Sequence, residues 1–238
     1  MRVTGGTLKG RHTKTPGGSM QIRPAMDRMR ESIFAILSPY LKGKSFLDLF
    51  SGSGTIAIES VSHGASRVSL CEMDKKKGSV ILENVKMCED AGVRISCHFM
   101  AVELFVKRCR EQFDFIFCDP PFPYKFRKDL LEKIDAKKLL LPGGTVMIHY
   151  PSEDPLPNRI GNLVLTDKRI YGRSIVNFYK LKESEIPEET TKKAESAQTT
   201  HSSGATSVTS GTGTAPAICK SSTGTAPAKA SPSETAPE

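Results

Sequence analysis

Apolar residues at Met26, Met29, Ile33, Phe34, Leu37 and Leu41 recur at steps of three and four, which is one face of a helix. Pro24 stands where proline is compatible with helix initiation. The next apolar run, Ser45–Phe50, is short and closed by glycines, and reads as a buried strand. A helix over Thr55–His63 follows. Further along, the pattern predicts strands at Arg67–Glu72, Val93–Phe99, Phe113–Cys118 and Thr145–Tyr150, and helices at Asp74–Asp90, Val102–Arg110 and Lys125–Lys138. Leu163–Tyr171 and Ser174–Leu181 read as a closing hairpin over Gly172. Strands alternating with helices imply an α/β fold with a largely parallel sheet covered on both faces. The hairpin adds antiparallel strands at the end.

The pattern stops at residue 182. From Glu183 to Glu238 there is no Phe, Tyr or Trp, and the large aliphatics are Ile186, Val208 and Ile218. Such a segment buries too little apolar surface to offset its ordering entropy, so 183–238 is expected to be a disordered Ser/Thr/Ala/Pro-rich tail. It contains the repeat Thr-Gly-Thr-Ala-Pro-Ala twice, at Thr212 and Thr223. Two copies are too short for a solenoid. The preceding 1–182 form one domain.

This division sharpens the charge. The whole chain is +8, with 34 basic and 26 acidic residues. The tail holds four basic residues against seven acidic, so the domain carries +11. The first 30 residues account for +6 of it, through Arg2, Lys9, Arg11, Lys14, Arg23, Arg28 and Arg30 against Asp27. A flexible, basic strand-and-loop segment with interleaved glycines fits contacts to a phosphate backbone. Arg2, Lys9, Arg11, Lys14 and Arg23 are the candidate nucleic-acid contacts, while Arg28 and Arg30 have Asp27 and Glu31 as alternative partners on the first helix. A solvated charged face is the competing reading.

Other classes are excluded more directly. No run of about 18 apolar residues is present, so no membrane span is expected. The start, Met-Arg-Val-Thr-Gly-Gly, is not that of a secretory signal. Six cysteines form no C-x-x-C pair, which suggests a reduced, cytoplasmic protein with buried thiols. The five histidines show no metal-ligand spacing, and no metal is expected.

Two junctions carry candidate chemistry. After the first strand comes Asp48-Leu-Phe-Ser-Gly52-Ser-Gly54-Thr. Glycines there allow close backbone approach to a ligand and a sharp turn into the helix. Glu72, 18 residues beyond Gly54, ends the next strand, where a carboxylate would accept ribose hydroxyls. Read alone, the loop also fits a dinucleotide. Asp48 argues otherwise, because an acid suits a ligand with an ammonium group better than an anionic pyrophosphate. It could equally hold the loop through backbone N–H groups.

The second junction is Asp119-Pro120-Pro121-Phe122, following the fourth apolar strand. Consecutive prolines fix φ and donate no N–H, leaving carbonyl acceptors in a stiff array. With the Asp119 carboxylate and the flat face of Phe122, they suit an exocyclic amine on a planar base. A Pro-Pro turn ending a strand, with Phe122 in the core, is the plainer alternative.

Taken in order, these motifs resemble the RsmD-type 16S rRNA (guanine-N2)-methyltransferases. The resemblance covers about Met1 to Leu181. It rests on Gly5-Gly6, Lys9-Gly10-Arg11, the run Ile22–Glu31, Phe46–Gly54, Glu72-Met73-Asp74, Asn84 and Asp119–Phe122. It departs from the family pattern at Met100, where Asp or Asn is usual, and at Ala25, where Thr is usual. The resemblance implies a seven-stranded Rossmann-like class I methyltransferase sheet using S-adenosylmethionine. It implies that Asp48, Gly52 and Gly54 line the methionine side of the cofactor, that Glu72 takes the ribose hydroxyls and that Met73 lies along the adenine. Asp119 to Phe122 would hold the target guanine. The implied partner is 16S ribosomal RNA or the small ribosomal subunit, met by a monomer. Three other readings stay open on sequence: an adenine-N6 methyltransferase, a non-catalytic RNA-binding protein of this fold, and an NAD-dependent enzyme.

Overall fold

A computed structural model describes residues 1–15 and 24–182. Arg23 and the segment 183–238 lie outside the described residues, so the expectations for both stand as they were. The domain opens with helix α1 (Pro24–Leu41), then strand β1 (Ser45–Leu49), helix α2 (Thr55–Ser62), β2 (Arg67–Cys71), α3 (Gly78–Val85) and β3 (Ser96–His98). It continues with α4 (Val102–Arg108), β4 (Phe113–Cys118), α5 (Arg127–Ala136), β5 (Leu140–Pro151), β6 (Arg159–Ile160), β7 (Leu163–Tyr171) and β8 (Ser174–Leu181). The strands form one sheet in the order β3-β2-β1-β4-β5-β8-β7-β6. Pairing is parallel from β3 through β5, and antiparallel among β5, β8, β7 and β6.

Alternation along the central strands builds two cores. Phe46 of β1 and Phe115 and Phe117 of β4 face Met29, Ile33, Phe34, Ile58 and Ile81 of α1, α2 and α3. Leu47 and Leu49 of β1 and Ile116 of β4 face Val102, Phe105, Leu130 and Ile134 of α4 and α5. A sheet buried on both faces explains why these strands read as nearly continuous apolar runs.

Three expected elements differ substantially in their bounds, each for a local reason, and one strand is additional. The helix expected over Asp74–Asp90 is α3 flanked by 3₁₀ turns at Lys75–Lys77 and Lys86–Ala91. The Asp74 carboxylate accepts from Lys76 N at 3.0 Å and caps the first of these turns. The strand expected over Val93–Phe99 shrinks to Ser96–His98. Gly92 adopts φ 73° and Val93 N donates to Cys88 O, so the preceding residues serve the helix end instead. Strand β5 starts earlier than Thr145, running through Pro142-Gly143-Gly144 with a shift in register against β4. A two-residue eighth strand, β6, extends the expected seven at the β7 edge.

The N-terminal segment differs most from expectation. Residues 1–15 are not a flexible arm. Val3 and Leu8 are buried, and Arg2 bridges His12 in antiparallel fashion. Thr7 N donates to Ser62 O at 2.8 Å. A Cβ on Gly6 (φ 72°) would lie 1.8 Å from that same carbonyl, so only glycine permits this approach. Arg30 anchors the segment. It donates through Nη2 to Arg2 O at 3.0 Å and through Nε to the buried Glu59 at 3.0 Å, and it pairs with Asp27 at 3.1 Å. The alternative partner expected for Arg30 on the first helix is therefore realised.

Candidate active site

In an open α/β sheet, ligands bind at the carboxyl ends of the strands where the order reverses. Here that point lies between β1 and β4, and a cleft of about 780 Å³ opens there. The segment after β1 contributes Phe50 and Gly52 to its wall, and the segment after β2 contributes Glu72, Met73, Asp74 and Lys77. Across from them stand Asp119, Pro120, Pro121, Phe122 and Tyr124, which follow β4. The two junctions singled out in the sequence therefore share one cleft.

The glycine loop is held by carboxylates on both sides. Phe50 takes φ 63°, a left-handed conformation rare for a bulky residue, and its ring packs edge-on to Tyr124 with centroids 5.2 Å apart. Gly52 follows at φ 62°, where an added Cβ would meet nothing within 4 Å. Its N–H donates to Glu72 Oε2 at 2.8 Å, while Glu72 Oε1 accepts from Asp74 N at 2.9 Å and Lys77 Nζ at 3.2 Å. A carboxylate has about four acceptor sites. Glu72 thus ties the loop to the next turn and keeps acceptor capacity for a hydroxyl.

Asp48 sits beneath the loop and off the cleft wall. Its Oδ2 accepts from Ser51 Oγ at 2.8 Å and Ala57 N at 3.2 Å, while Oδ1 is buried without a partner among the described residues. Of the two roles read from sequence, holding the loop is the one the geometry displays. Burial pushes the carboxyl up to about 7, against the Ser51 bond and aided by the charge of Asp119. Gly54, at φ 82°, also lies behind the wall, where it starts α2. A carboxyl raised in the folded state favours folding below its unfolded value of 3.8 and loses that contribution as pH rises through about 7. Asp48→Asn removes the ionisation. We expect its stability relative to the unaltered protein to improve by about 4 kcal/mol between pH 4 and pH 8. Urea denaturation at the two pH values measures this, and equal differences at both would contradict the buried carboxyl.

The Asp119–Phe122 turn is fixed from behind by Arg127, which is almost fully buried. Arg127 Nη2 donates to Pro121 O at 3.1 Å and Phe122 O at 2.9 Å, and Nη1 donates to Asp154 at 2.6 Å. Tyr124 N also donates to Pro121 O at 2.8 Å. The Pro121 carbonyl is therefore occupied, and among the described residues no donor meets that of Pro120. Phe122 is 42% exposed, so its ring is a wall of the cleft and not core.

Sequence reasoning missed His149. It lies at the carboxyl end of β5, where Cys118 pairs with Ile148, so the residues after each stand side by side. Its Nδ1 is 2.6 Å from Asp119 Oδ1. A histidine inside the apolar run Val-Met-Ile-His-Tyr was the available signal. Arg127 and Phe50 were missed too, since neither the grip of Arg127 on the turn carbonyls nor the backbone conformation of Phe50 is legible in composition. Among the described residues, no group of three or more His, Cys, Asp or Glu is arranged to hold a metal.

The cleft wall carries four acids, Glu72, Asp74, Glu103 and Asp119, against the cation Lys77. That sign suits a cationic ligand and opposes a pyrophosphate.

The sheet order, the glycine loop after β1, the acid after β2 and the Asp-Pro-Pro-Phe turn after β4 define a class I, Rossmann-like methyltransferase. Within that class, the chain belongs to the family described as Conserved hypothetical protein 95, whose model matches residues 1–180. This is the family to which the sequence motifs pointed. The chain is 36% identical to the "Putative rRNA methyltransferase YlbH" of Bacillus subtilis over 183 residues, covering 76% of this chain and 98% of that one. It is 26% identical to the Ribosomal RNA small subunit methyltransferase D of Escherichia coli K12, covering 75% and 89%. Among solved structures, the "Putative methyltransferase yhhF from Escherichia coli" superimposes with a TM-score of 0.67 at 22% identity, covering 77% of this chain and 99% of that one, and shares the fold.

Proposed function

We propose that this chain transfers a methyl group from S-adenosylmethionine to the exocyclic N2 amine of a guanine in 16S ribosomal RNA. The observation that carries this reading is the meeting of Asp119–Phe122 with Gly52–Met73 across one acidic cleft. The cofactor supplies an electrophilic methyl on a sulfonium. Its positive groups match the acidic wall, and it carries no phosphate. Gly52, Glu72 and Met73 would hold it, with Asp48 and Gly54 shaping the loop behind. Phe122 stacks the target base, while Asp119 and the Pro120 carbonyl accept the hydrogens of its amine. Those contacts aim the nitrogen lone pair and stabilise the positive charge that develops on it.

A base inside a helix cannot reach such a cleft, so the target is unpaired or extruded. Arg2, Lys9, Arg11 and Lys14 would take the RNA backbone, together with Arg23. Arg11 pairs with Asp90 and Lys14 with Glu83. Both pairs are exposed, and such pairs contribute little, so a phosphate exchanges readily for either acid. One chain supplies every residue of this site, so a monomer suffices. The proposed substrate implies a cytoplasmic protein.

The test is to incubate the protein with methyl-labelled S-adenosylmethionine and small-subunit RNA, digest to nucleosides and locate the label by mass spectrometry. We expect label in N2-methylguanosine. Label in N6-methyladenosine would instead favour adenine, which the same turn could hold. Absence of cofactor binding to folded protein in calorimetry would leave the non-catalytic reading standing.

A further inference from the structure

His149 is 2% exposed and lies on a central strand, yet it faces the cleft. Its Nδ1 approaches Asp119 Oδ1 to 2.6 Å, and the Phe122 ring meets its own edge-on with centroids 5.5 Å apart. Its Nε2 is buried and has no hydrogen-bond partner among the described residues. A carboxylate only accepts, so the hydrogen of this short bond belongs to Nδ1. Asp119 Oδ2 has no donor among the described residues, and the side chain is 27% exposed. One oxygen of Asp119 is thus taken from within, and the other is left toward the cleft.

We propose that His149 is a positioning residue for methyl transfer: its Nδ1–H clamps Asp119 Oδ1 and so reserves Oδ2 for the amine of the target base. This rests on the methyltransferase reading above. Without the clamp, the carboxyl group turns freely about its Cβ–Cγ bond, and the direction in which it receives the amine is lost. The ring also backs Phe122, so the acceptor and the stacking plate are set by one side chain. Sequence adjacency orients Asp119 and Phe122 only coarsely, because three peptide units separate them. A third group touching both removes that freedom.

Two measurements test this. In nitrogen-detected NMR of the unaltered protein without ligands, the His149 ring should carry hydrogen on Nδ1 and none on Nε2. Hydrogen on Nε2 alone would overturn the clamp, whatever the protein methylates. In kinetics, His149→Phe keeps a ring of similar size but has no donor. It should lower kcat by about 10²-fold while the cofactor Kd stays within about threefold. His149→Asn puts an amide N–H near the Nδ1 position and should recover at least tenfold of that loss. His149→Gln, whose amide lies near the Nε2 position, should not. Equal kcat for the Asn and Phe variants would overturn the proposal, as would a Phe variant with unchanged kcat. If Phe fails to fold, the Asn against Gln comparison decides. Failure of the unaltered protein to methylate any ribosomal RNA would instead count against the parent reading, and is seen before variants are compared.

Discussion

Asp119→Ala is expected to lower turnover by about 10²–10³-fold, with cofactor affinity nearly unchanged. The asymmetry follows from the layout of the cleft. Asp119 extends from β4, whereas the proposed cofactor contacts Gly52, Glu72 and Met73 extend from β1 and β2. Removing the carboxylate deletes an acceptor that works mainly on charge appearing at the amine, so the loss falls on kcat more than on binding. Asp119→Asn should be nearly as poor. If His149 holds the amide oxygen through Nδ1–H, the amide NH₂ faces the target amine, donor against donor. Single-turnover assays with saturating cofactor, alongside calorimetric titration, separate the two quantities. Turnover within threefold of the unaltered protein would remove Asp119 from the chemistry.

The second large effect concerns folding. Arg30→Ala should destabilise the domain by about 3–5 kcal/mol, because it leaves Glu59 buried and uncompensated. Glu59 is fully buried on α2, and its Oε1 also accepts from Thr4 N at 2.8 Å and Thr4 Oγ1 at 2.9 Å. Its Oε2 has no hydrogen bond among the described residues, and His63 Nε2 stands 3.8 Å away. Arg30 thus joins α1, α2 and residues 1–15 through one guanidinium. Arg30→Lys should recover little, since one ammonium cannot meet both Arg2 O and Glu59 as the planar fork does. The double variant Arg30→Met, Glu59→Leu should be far closer to the unaltered protein than Arg30→Ala, because no charge is then stranded. Urea denaturation measures all three. A loss below 1 kcal/mol for Arg30→Ala would mean that Glu59 finds another partner or water.

Arg30 shows why charge counting misreads a segment. In the sequence it is one of seven cations in a basic stretch. In the fold it is an interior brace, and Arg11 and Lys14 have acids from α3 and the turn after it as neighbours. Net charge records composition, whereas pairing depends on which surfaces come together.

The strand–helix order was legible in the sequence because burial on one or both faces imposes a period on the residues themselves. β4 was read with both ends correct, as Phe113–Cys118, and the β7–β8 hairpin likewise. The Gly52–Gly54 loop and the Asp119–Phe122 turn were legible because glycine and proline constrain the backbone locally, wherever they stand. The tertiary structure alone decided that Asp48 supports the loop from beneath, that Arg127 grips the Pro121 and Phe122 carbonyls, and that His149 meets Asp119. Each of these is a contact between elements distant along the chain, and only strand order and register bring such residues within hydrogen-bond reach.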